Sequence, residues 1–384
     1  MGKSGLIRVM RKMLSTGSAL PVAVVLLAGC GKFILKGAHE PGGGWPQLGQ
    51  TPQRVPVVEI QPRFPLQPLW EKRASGAPGS SLVGAKDYIL YGTQDGRLEG
   101  LHLENGDGIG KIAVRSTVEV TAALAGERLI IVRRIGKNNV ICYDLTKAKT
   151  LWEKSAGTIP GEPLIVAGKI YLATGSGRLL ALAVQDGATE AEYQMSNTCS
   201  ATPAFANDRI LIGDDKGILH ALSAQLEPQW QYATGAAIRS PAVLTAQTAY
   251  VGSTDGVFYA LDIASGSLCW KTSVGAKIYH PAALNDTLVF FSATDHNLYA
   301  VSRQDGDVKW RYNSGSILST APLLCGAYLF AGSMNKKFHA LEIATGTVVW
   351  EFTAKGRIRG YPLAIDPYLV FSAEDDVIYC FRLY

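Results

Sequence analysis

The side chains best suited to redox chemistry or metal binding are thiols and imidazoles. In this chain of 384 residues the cysteines and histidines lie far apart in the sequence. Beyond Cys30 no two cysteines are adjacent and none form a Cys-x-x-Cys pair, so no metal knuckle or redox motif is predicted. We expect these thiols to be small buried side chains, although a disulfide stays open for an exported chain. The positions are Cys142, Cys199, Cys269, Cys325 and Cys380.

Histidines and acidic pairs give no stronger indication of catalysis. The six histidines are scattered, so neither a metal site nor a catalytic triad is predicted. The acidic runs Asp214-Asp215 and Glu374-Asp375-Asp376 fall at predicted strand turns, where solvated carboxylates are expected. The sequence therefore predicts no catalytic residues, no metal and no cofactor. The histidines are His39, His102, His220, His280, His296 and His339.

Tryptophan and proline recur with a period near 40 residues, which is typical of a propeller. Trp230, Trp270, Trp310 and Trp350 are each 40 residues apart. Trp152 lies 78 residues before Trp230 and Trp70 lies 82 before Trp152, so each of these intervals skips one position of the series, near Tyr193 and near Lys111. A second series agrees at spacings of 38 to 41 residues. Its members are Pro163, Pro203, Pro241, Pro281, Pro322 and Pro362.

Each repeat is predicted to be a four-stranded antiparallel blade. In one unit the strands are predicted at Ser240–Leu244, Ala249–Thr254 and Val257–Ile263, followed by an outer strand that contains Trp270. X-Gly pairs form the turns because glycine adopts positive φ cheaply. Eight second strands are expected, and Gln67–Gly76 closes the ring beside Val377–Tyr384. The second strands are predicted to begin near Tyr88, Arg128, Lys169, Arg209, Ala249, Leu288, Tyr328 and Tyr368.

These units resemble the PQQ-like repeat family of eight-bladed β-propellers over about residues 67–384. The phrase WPQLGQTPQR ahead of them resembles one that often precedes such repeats. The second and third units depart from the pattern, reading RRIGKNNVICYDLTKAKTLW and GSGRLLALAVQDGATEAEY. The resemblance implies an all-β ring that is closed by an N-terminal strand completing the last blade.

The family contains quinoprotein dehydrogenases and lipoprotein scaffolds of outer-membrane assembly. The dehydrogenases resemble one another in a vicinal Cys–Cys disulfide, a calcium site and a catalytic Asp, and this sequence carries no adjacent cysteines and no evident calcium ligand cluster. Its architecture is most similar to the scaffolds, which use loops on one face to hold a partner. The corresponding loops here, Ser196–Thr202 and Gly235–Ser240, are short and leave the partner open.

The residues just before each repeated proline are predicted to gather at one mouth of the central channel. Arginine and tyrosine are favoured at protein interfaces, and a cationic mouth attracts acidic groups. We therefore predict a partner-binding surface there, against the alternative of a hydrated, internally paired rim. Its residues are Ile238, Arg239, Lys277, Tyr279, His280, Arg357, Arg359 and Tyr361.

The N-terminus reads as a lipoprotein signal. A basic stretch precedes an apolar run from Ala19 to Leu27, and the following LAGC resembles a bacterial lipobox, which implies cleavage before Cys30 and lipidation of that residue. We predict a signal peptide over residues 1–29, a Gly/Pro-rich lipid-anchored tether over 30–66 and the propeller over 67–384. In enteric lipoproteins an Asp directly after the lipidated Cys is the signal for retention in the inner membrane. Gly31 stands at that position here, so the resemblance favours the outer membrane and a location facing the periplasm.

The predicted function is a non-catalytic scaffold that binds envelope proteins, with components of outer-membrane barrel assembly as candidate partners. The formal net charge is +5, but four basic residues and no acidic residue lie before Cys30, so the chain from Cys30 onward carries only a small excess of positive charge. It contains no basic block that would suggest binding of nucleic acid. A quinoprotein-type dehydrogenase and a small-ligand-binding sensor propeller stay open as alternatives. The four residues are Lys3, Arg8, Arg11 and Lys12.

Overall fold

Four-stranded sheets arranged in a ring make up the structure, a computed structural model that describes residues 44–114 and 120–384. Two strands precede the first complete blade, β1 (Val57–Val58) and β2 (Gln67–Arg73). The first blade contains β3 (Pro78–Ala85), β4 (Tyr88–Thr93), β5 (Arg97–His102) and β6 (Gly108–Ala113). The second contains β7 (Val120–Ala125), β8 (Arg128–Arg133), β9 (Val140–Asp144) and β10 (Lys149–Lys154).

Blades three to five follow with the same order of strands. The third contains β11 (Leu164–Val166), β12 (Lys169–Ala173), β13 (Arg178–Ala183) and β14 (Thr189–Gln194). The fourth contains β15 (Ala204–Ala206), β16 (Arg209–Gly213), β17 (Ile218–Ser223) and β18 (Pro228–Ala233). The fifth contains β19 (Val243–Leu244), β20 (Thr248–Gly252), β21 (Val257–Asp262) and β22 (Leu268–Ser273).

Blades six to eight complete the ring. The sixth contains β23 (Ala283–Leu284), β24 (Leu288–Ser292), β25 (Asn297–Ser302) and β26 (Val308–Asn313). The seventh contains β27 (Leu323–Cys325), β28 (Tyr328–Gly332), β29 (Lys337–Glu342) and β30 (Val348–Thr353). The eighth contains β31 (Leu363–Ile365), β32 (Tyr368–Ser372) and β33 (Val377–Arg382), with β2 as its outer strand.

The predicted eight-bladed architecture and its closure are confirmed. Strand β2 pairs antiparallel with β33, with Trp70 opposite Cys380, so the N-terminal strand completes the last blade. All but one of the second strands begin at the predicted residue, and the exception, β20, begins at Thr248. The inner strand of that blade is shorter than predicted because it starts at Val243, beyond the proline that cannot donate to the ladder.

The repeated tryptophans join neighbouring blades. Five indole N–H groups donate to a backbone carbonyl of the next blade at 2.7–3.1 Å, which satisfies the buried donor. Each indole lies over a turn glycine of the next blade, where an added methyl carbon would stand 2.5–2.8 Å from the indole. The Trp–Gly pairs are Trp70–Gly106, Trp152–Gly187, Trp230–Gly266, Trp270–Gly306 and Trp310–Gly346.

Three of the eight seams between blades lack this pair. At the seam of the seventh and eighth blades Trp350 contacts Phe64 and Phe381, and no described glycine lies against it. At the other two seams both members of the pair are replaced. The strand register places Gly110 and Ala191 where the other outer strands carry tryptophan, one and two residues before the predicted positions. The next blades carry Ala148 and Leu226 in place of the turn glycine, both with positive φ. The loss of tryptophan and the loss of glycine therefore occur together, since a side chain at the turn is tolerated only where no indole covers it.

Residues 44–66, which we name the channel segment, run along the inside of the ring and belong to the folded domain. Strand β1 adds in parallel to β27, and Trp45 exchanges backbone hydrogen bonds with Gly84 of the first blade. Further backbone carbonyls of the segment accept from the inner strands of the second, fourth and fifth blades. The predicted tether to residue 66 is thus folded from residue 44 onward; Cys30 and the predicted signal peptide lie outside the described residues.

A buried arginine holds the channel segment in place. Arg54 is 1% exposed, and its guanidinium donates to the carbonyls of Leu48, Pro163 and Pro203 at 2.7–3.2 Å. Burial lowers the pKa of Arg54 to about 10, and the negative charge of Glu162 opposes that shift. Because the carbonyls belong to different blades, one side chain ties the segment to two of them.

Candidate functional site

One face of the ring is formed by the loops that join successive blades and by the turns between second and third strands; we name it the inter-blade face. In each case the turn residue donates its backbone N–H to a carbonyl of the adjoining loop at 2.8–3.0 Å. The same bond recurs in seven blades. The pairs are Gln94–Ala77, Gly175–Thr158, Asp215–Thr198, Thr254–Ala237, Thr294–Lys277, Met334–Ile317 and Glu374–Arg357.

Ile238 does not present a surface to a partner, in contrast to its prediction as a contact residue. Its side chain is 0% exposed and lies where a Cβ on Gly213 would come within 2.2 Å of it. Ile278 and Ile358 occupy the equivalent positions and are also buried. The residue therefore fills the space above a strand glycine and contributes apolar burial to the fold.

Arg239, Lys277 and Tyr279 lie on the inter-blade face, but outside the cavity described below. The guanidinium of Arg239 is exposed, and its Nε is 3.8 Å from Oδ1 of Asp215. Lys277 is also exposed and forms no ion pair with a described residue. Tyr279 is half-buried. Arg239 and Lys277 extend the cationic character of the face to two further loops.

The other predicted residues are brought together in a cavity of about 630 Å³ at the channel mouth. His280, Arg357, Arg359 and Tyr361 all line it. Its volume lies in the range that is typical of ligand sites. The remaining lining residues come from the seventh, eighth and first blades. They are Ala77, Pro78, Gly79, Gln94, Ile317, Ser319, Met334, Gly360, Ser372, Ala373 and Glu374.

Two arginines share one carboxylate at the wall of this cavity. Arg357 Nε donates to Glu374 Oε2 at 2.5 Å, and Arg359 Nε lies 2.6 Å from Oε1 of the same residue. The buried side chain of Ile358 separates the two arginines along the chain, so both guanidiniums point to one side. Two positive charges against one negative charge leave this part of the mouth cationic.

The floor of the cavity is formed by an uncharged pair of side chains. His280 Nδ1 lies 3.2 Å from the hydroxyl oxygen of Tyr361, and burial lowers the pKa of His280 to about 4, so the imidazole is uncharged at neutral pH. Tyr361 also borders a space of only about 20 Å³ that Trp45 and Arg54 of the channel segment line from below. We name the cavity of about 630 Å³ the vestibule; Tyr361 separates it from the residues of the channel segment.

Thiol and metal chemistry find little support in the described residues. All five described cysteines are free, and burial raises the pKa of Cys199 to about 12, which disfavours a thiolate nucleophile. Four of them are buried as predicted, whereas Cys269 is exposed. Within residues 44–114 and 120–384 no three His, Cys, Asp or Glu side chains converge on a possible metal position.

The acidic runs differ from their prediction as solvated turn residues. Asp214 is buried, accepts from Asn197 Nδ2 at 2.8 Å and lies 3.2 Å from His220 Nε2, while Glu374 is held by two arginines. Neither contact is visible in the local sequence because the partners stand in other strands or loops. Arg54 was likewise missed, since its segment carries no periodic pattern; its position in a Pro/Gln-rich phrase is the only signal.

One protein-family model matches most of the ring. The model described as outer membrane protein assembly factor BamB, built on PQQ-like repeats, matches residues 111–240, 216–324 and 314–382. The chain belongs to this family. The match includes both arginine-bearing loops, with Arg239 and with Arg357 and Arg359, and extends over most of the ring.

Individual relatives are distant. The chain is 26% identical over 166 residues to the outer membrane protein assembly factor BamB of Yersinia pestis, and this match covers 40% of each of the two proteins. It is 26% identical over 187 residues to that of Burkholderia pseudomallei, covering 46% of this chain and 48% of the relative. The matched segments thus span less than half the length of these curated relatives.

Solved structures of low identity share the fold. BamB from Moraxella catarrhalis superposes with a TM-score of 0.72 at 20% identity, over 83% of this chain and 99% of that one. A quinohemoprotein alcohol dehydrogenase from Pseudomonas putida HK5 superposes with a TM-score of 0.78 at 13% identity, over 89% and 80%. At these identities the likeness concerns the fold alone.

None of the described residues belongs to a helix long and apolar enough to cross a membrane.

Proposed function

We propose that this protein is a non-catalytic scaffold of the bacterial envelope that binds partner proteins through its inter-blade face during outer-membrane protein assembly. The family match carries the proposal, because the model and both curated relatives are described as assembly factors. The exposed cations of the face support it, since Lys277 has no ion-pair partner among the described residues and Arg357 and Arg359 share a single one. Unneutralised charge favours capture of an acidic surface.

The proposed location is the outer membrane, with the propeller facing the periplasm. The lipobox at Cys30 motivates this part of the proposal. A lipid chain on that residue supplies membrane affinity that a free chain lacks. We expect Cys30→Ser to move the protein from the membrane fraction to the soluble fraction of lysed cells. An unchanged distribution would contradict anchoring through Cys30.

The partner can be identified by mild detergent extraction of the tagged full-length protein from its native membranes, followed by mass spectrometry. We expect a component of outer-membrane barrel assembly to co-purify. The double variant Arg239→Glu with Arg357→Glu should recover much less of it, because reversed charges repel an acidic partner. A solitary protein that carries bound quinone would overturn the scaffold proposal.

A matched control reverses two charges on the opposite side of the ring. Lys86 lies in the turn between β3 and β4, Lys149 begins β10, and both are exposed. The variant Lys86→Glu with Lys149→Glu changes the net charge by the same amount away from the inter-blade face. We expect it to recover the partner as the unmodified protein does, and an equal loss in both variants would show that net charge alone matters.

A further inference from the structure

The two arginines in the vestibule have unused hydrogen-bond donors. Arg357 donates to Glu374 from Nε, and the terminal nitrogens of Arg357 and Arg359 donate no hydrogen bond to a described residue. Both side chains are more than half exposed, at 53% and 57%. A guanidinium binds a carboxylate best through two parallel N–H groups. The pair is therefore arranged to receive an additional carboxylate.

Glu374 differs from its arginine partners in how it is held. Its backbone N–H is fixed to the carbonyl of Arg357, but its side chain is 28% exposed, and among the described residues its carboxylate pairs with the two arginines alone. Rotation about its side-chain torsions releases both guanidiniums without altering the backbone. The carboxylate of Glu374 thus occupies the position that an incoming carboxylate would take.

An apolar wall stands beside the cationic one. Ile317 occupies the position of Arg357 in the preceding loop, is 40% exposed and lines the same cavity with Met334 and Pro78. An exposed isoleucine next to a cationic group favours a ligand that combines an apolar side chain with a negative charge. The neighbouring loops carry Lys277 and Arg239, which extend the cationic surface beyond the dimensions of a small molecule.

We propose that the vestibule binds a segment of a partner protein in which an acidic side chain adjoins an apolar one, and that Glu374 competes with that acidic side chain in the free protein. This inference rests on the proposed scaffold function and names the chemistry of the docked segment. The acidic group displaces Glu374 from Arg357 and Arg359, while the apolar neighbour covers Ile317. The Glu374 contact lowers the affinity for the docked segment because each docking event breaks an existing ion pair.

The test uses fluorescence polarisation with the purified full-length protein and a labelled, acetylated and amidated peptide of sequence Gly-Leu-Asp-Leu-Gly. Its twin with Asn in place of Asp should bind about tenfold more weakly, as a charge-assisted hydrogen bond is lost. Arg357→Gln and Arg359→Gln should each weaken the Asp peptide to a similar extent. Glu374→Gln should tighten it about fivefold, because the internal competitor is removed.

The opposite signs distinguish docking from a structural role. If the three residues only stabilised the loop, Glu374→Gln would weaken the peptide as the arginine variants do, and that result would overturn the proposal. Equal affinity for the Asp and Asn peptides would overturn it as well. The ion pair of Arg178 Nε with Glu192 at 2.6 Å, on the outside of the third blade, provides the matched control. Arg178→Gln and Glu192→Gln should leave binding unchanged.

Two further measurements complete the test. Glutarate should displace the peptide only at concentrations far above the peptide Kd, and displacement at equal concentration would assign the site to small carboxylates and overturn the protein-segment proposal. Thermal unfolding of each variant, with Arg357→Lys as a milder change, confirms that the fold is retained. Peptide binding without partner capture from membranes would count against the scaffold function alone, and capture without peptide binding would count against this inference alone.

Discussion

His280 and Tyr361 meet across the channel mouth, although they belong to loops that enter the sixth and eighth blades. Their rings are 5.8 Å apart at 84°, and Nδ1 lies 3.2 Å from the hydroxyl oxygen. Each residue directly precedes one of the repeated prolines. The contact therefore bridges the seventh blade, and it forms the floor of the vestibule above the channel segment.

The imidazole of His280 is predicted to make the fold sensitive to acid. Burial lowers its pKa from the ordinary 6.5 to about 4, so the unfolded chain binds more protons than the folded one between these values. Stability is thus retained above pH 6.5 and falls as the pH drops towards 4. The pKa of His220 and of His339 is also lowered by burial, which adds to the same trend.

The measurement is urea denaturation at several pH values between 7.5 and 4.5. We expect His280→Gln to reduce the loss of unfolding free energy over this range without abolishing it, because the other two histidines remain. Glutamine can still hydrogen bond with Tyr361. An identical pH dependence in the variant and the unmodified protein would show that His280 titrates as it does in the unfolded chain.

Replacement of a turn glycine is predicted to depend on whether tryptophan covers it. Gly346 and Gly315 have nearly the same φ, +73° and +71°, but a Cβ at Gly346 would stand 2.6 Å from Trp310 while one at Gly315 would meet nothing within 4 Å. We expect Gly315→Ala to lower the unfolding free energy by about 1 kcal/mol, the backbone contribution. Gly346→Ala should lower it by about 2–4 kcal/mol, because overpacking is added.

Chemical denaturation followed by tryptophan fluorescence measures both variants, and the difference between them isolates the packing of Trp310. Equal destabilisation would mean that the indole shifts freely. The result also bears on the seams where Ala148 and Leu226 replace the glycine, since those blades face no tryptophan.

Arg54 is predicted to be a major contributor to stability. Arg54→Met would leave the carbonyls of Leu48, Pro163 and Pro203 buried without their donor, and each such group costs about 1–3 kcal/mol. We expect a loss of about 3 kcal/mol or more. Arg54→Lys keeps the charge but presents fewer directed donors, and an intermediate loss is expected.

The control for Arg54 is Arg63, which lies in the same channel segment with an exposed side chain. Arg63→Met should change the unfolding free energy by less than about 0.5 kcal/mol. Denaturation midpoints with unchanged slopes would report the comparison directly. If Arg54→Met and Arg63→Met behave alike, the channel segment is not anchored by the buried guanidinium.

Local repetition explains why the ring could be predicted. Each blade packs mainly on its neighbours, so the same turn glycine, outer tryptophan and inner proline recur in most units and can be counted. The side chain of Asp262 also makes local contacts, because it accepts hydrogen bonds from the backbone N–H groups of Ala264 and Ser265 within its own hairpin. Such contacts span only a few residues.

The sequence by itself therefore determined the repeat, the number of blades, the closure by β2 and the set of residues at one face. Only the tertiary structure decided which of those residues meet, that Ile238 is buried, that Glu374 joins Arg357 and Arg359, and that residues 44–66 run along the inner strands of the ring. The reason is the range of the interactions: Arg54 contacts carbonyls more than 100 residues away, and such pairings depend on how the completed ring arranges its loops in space.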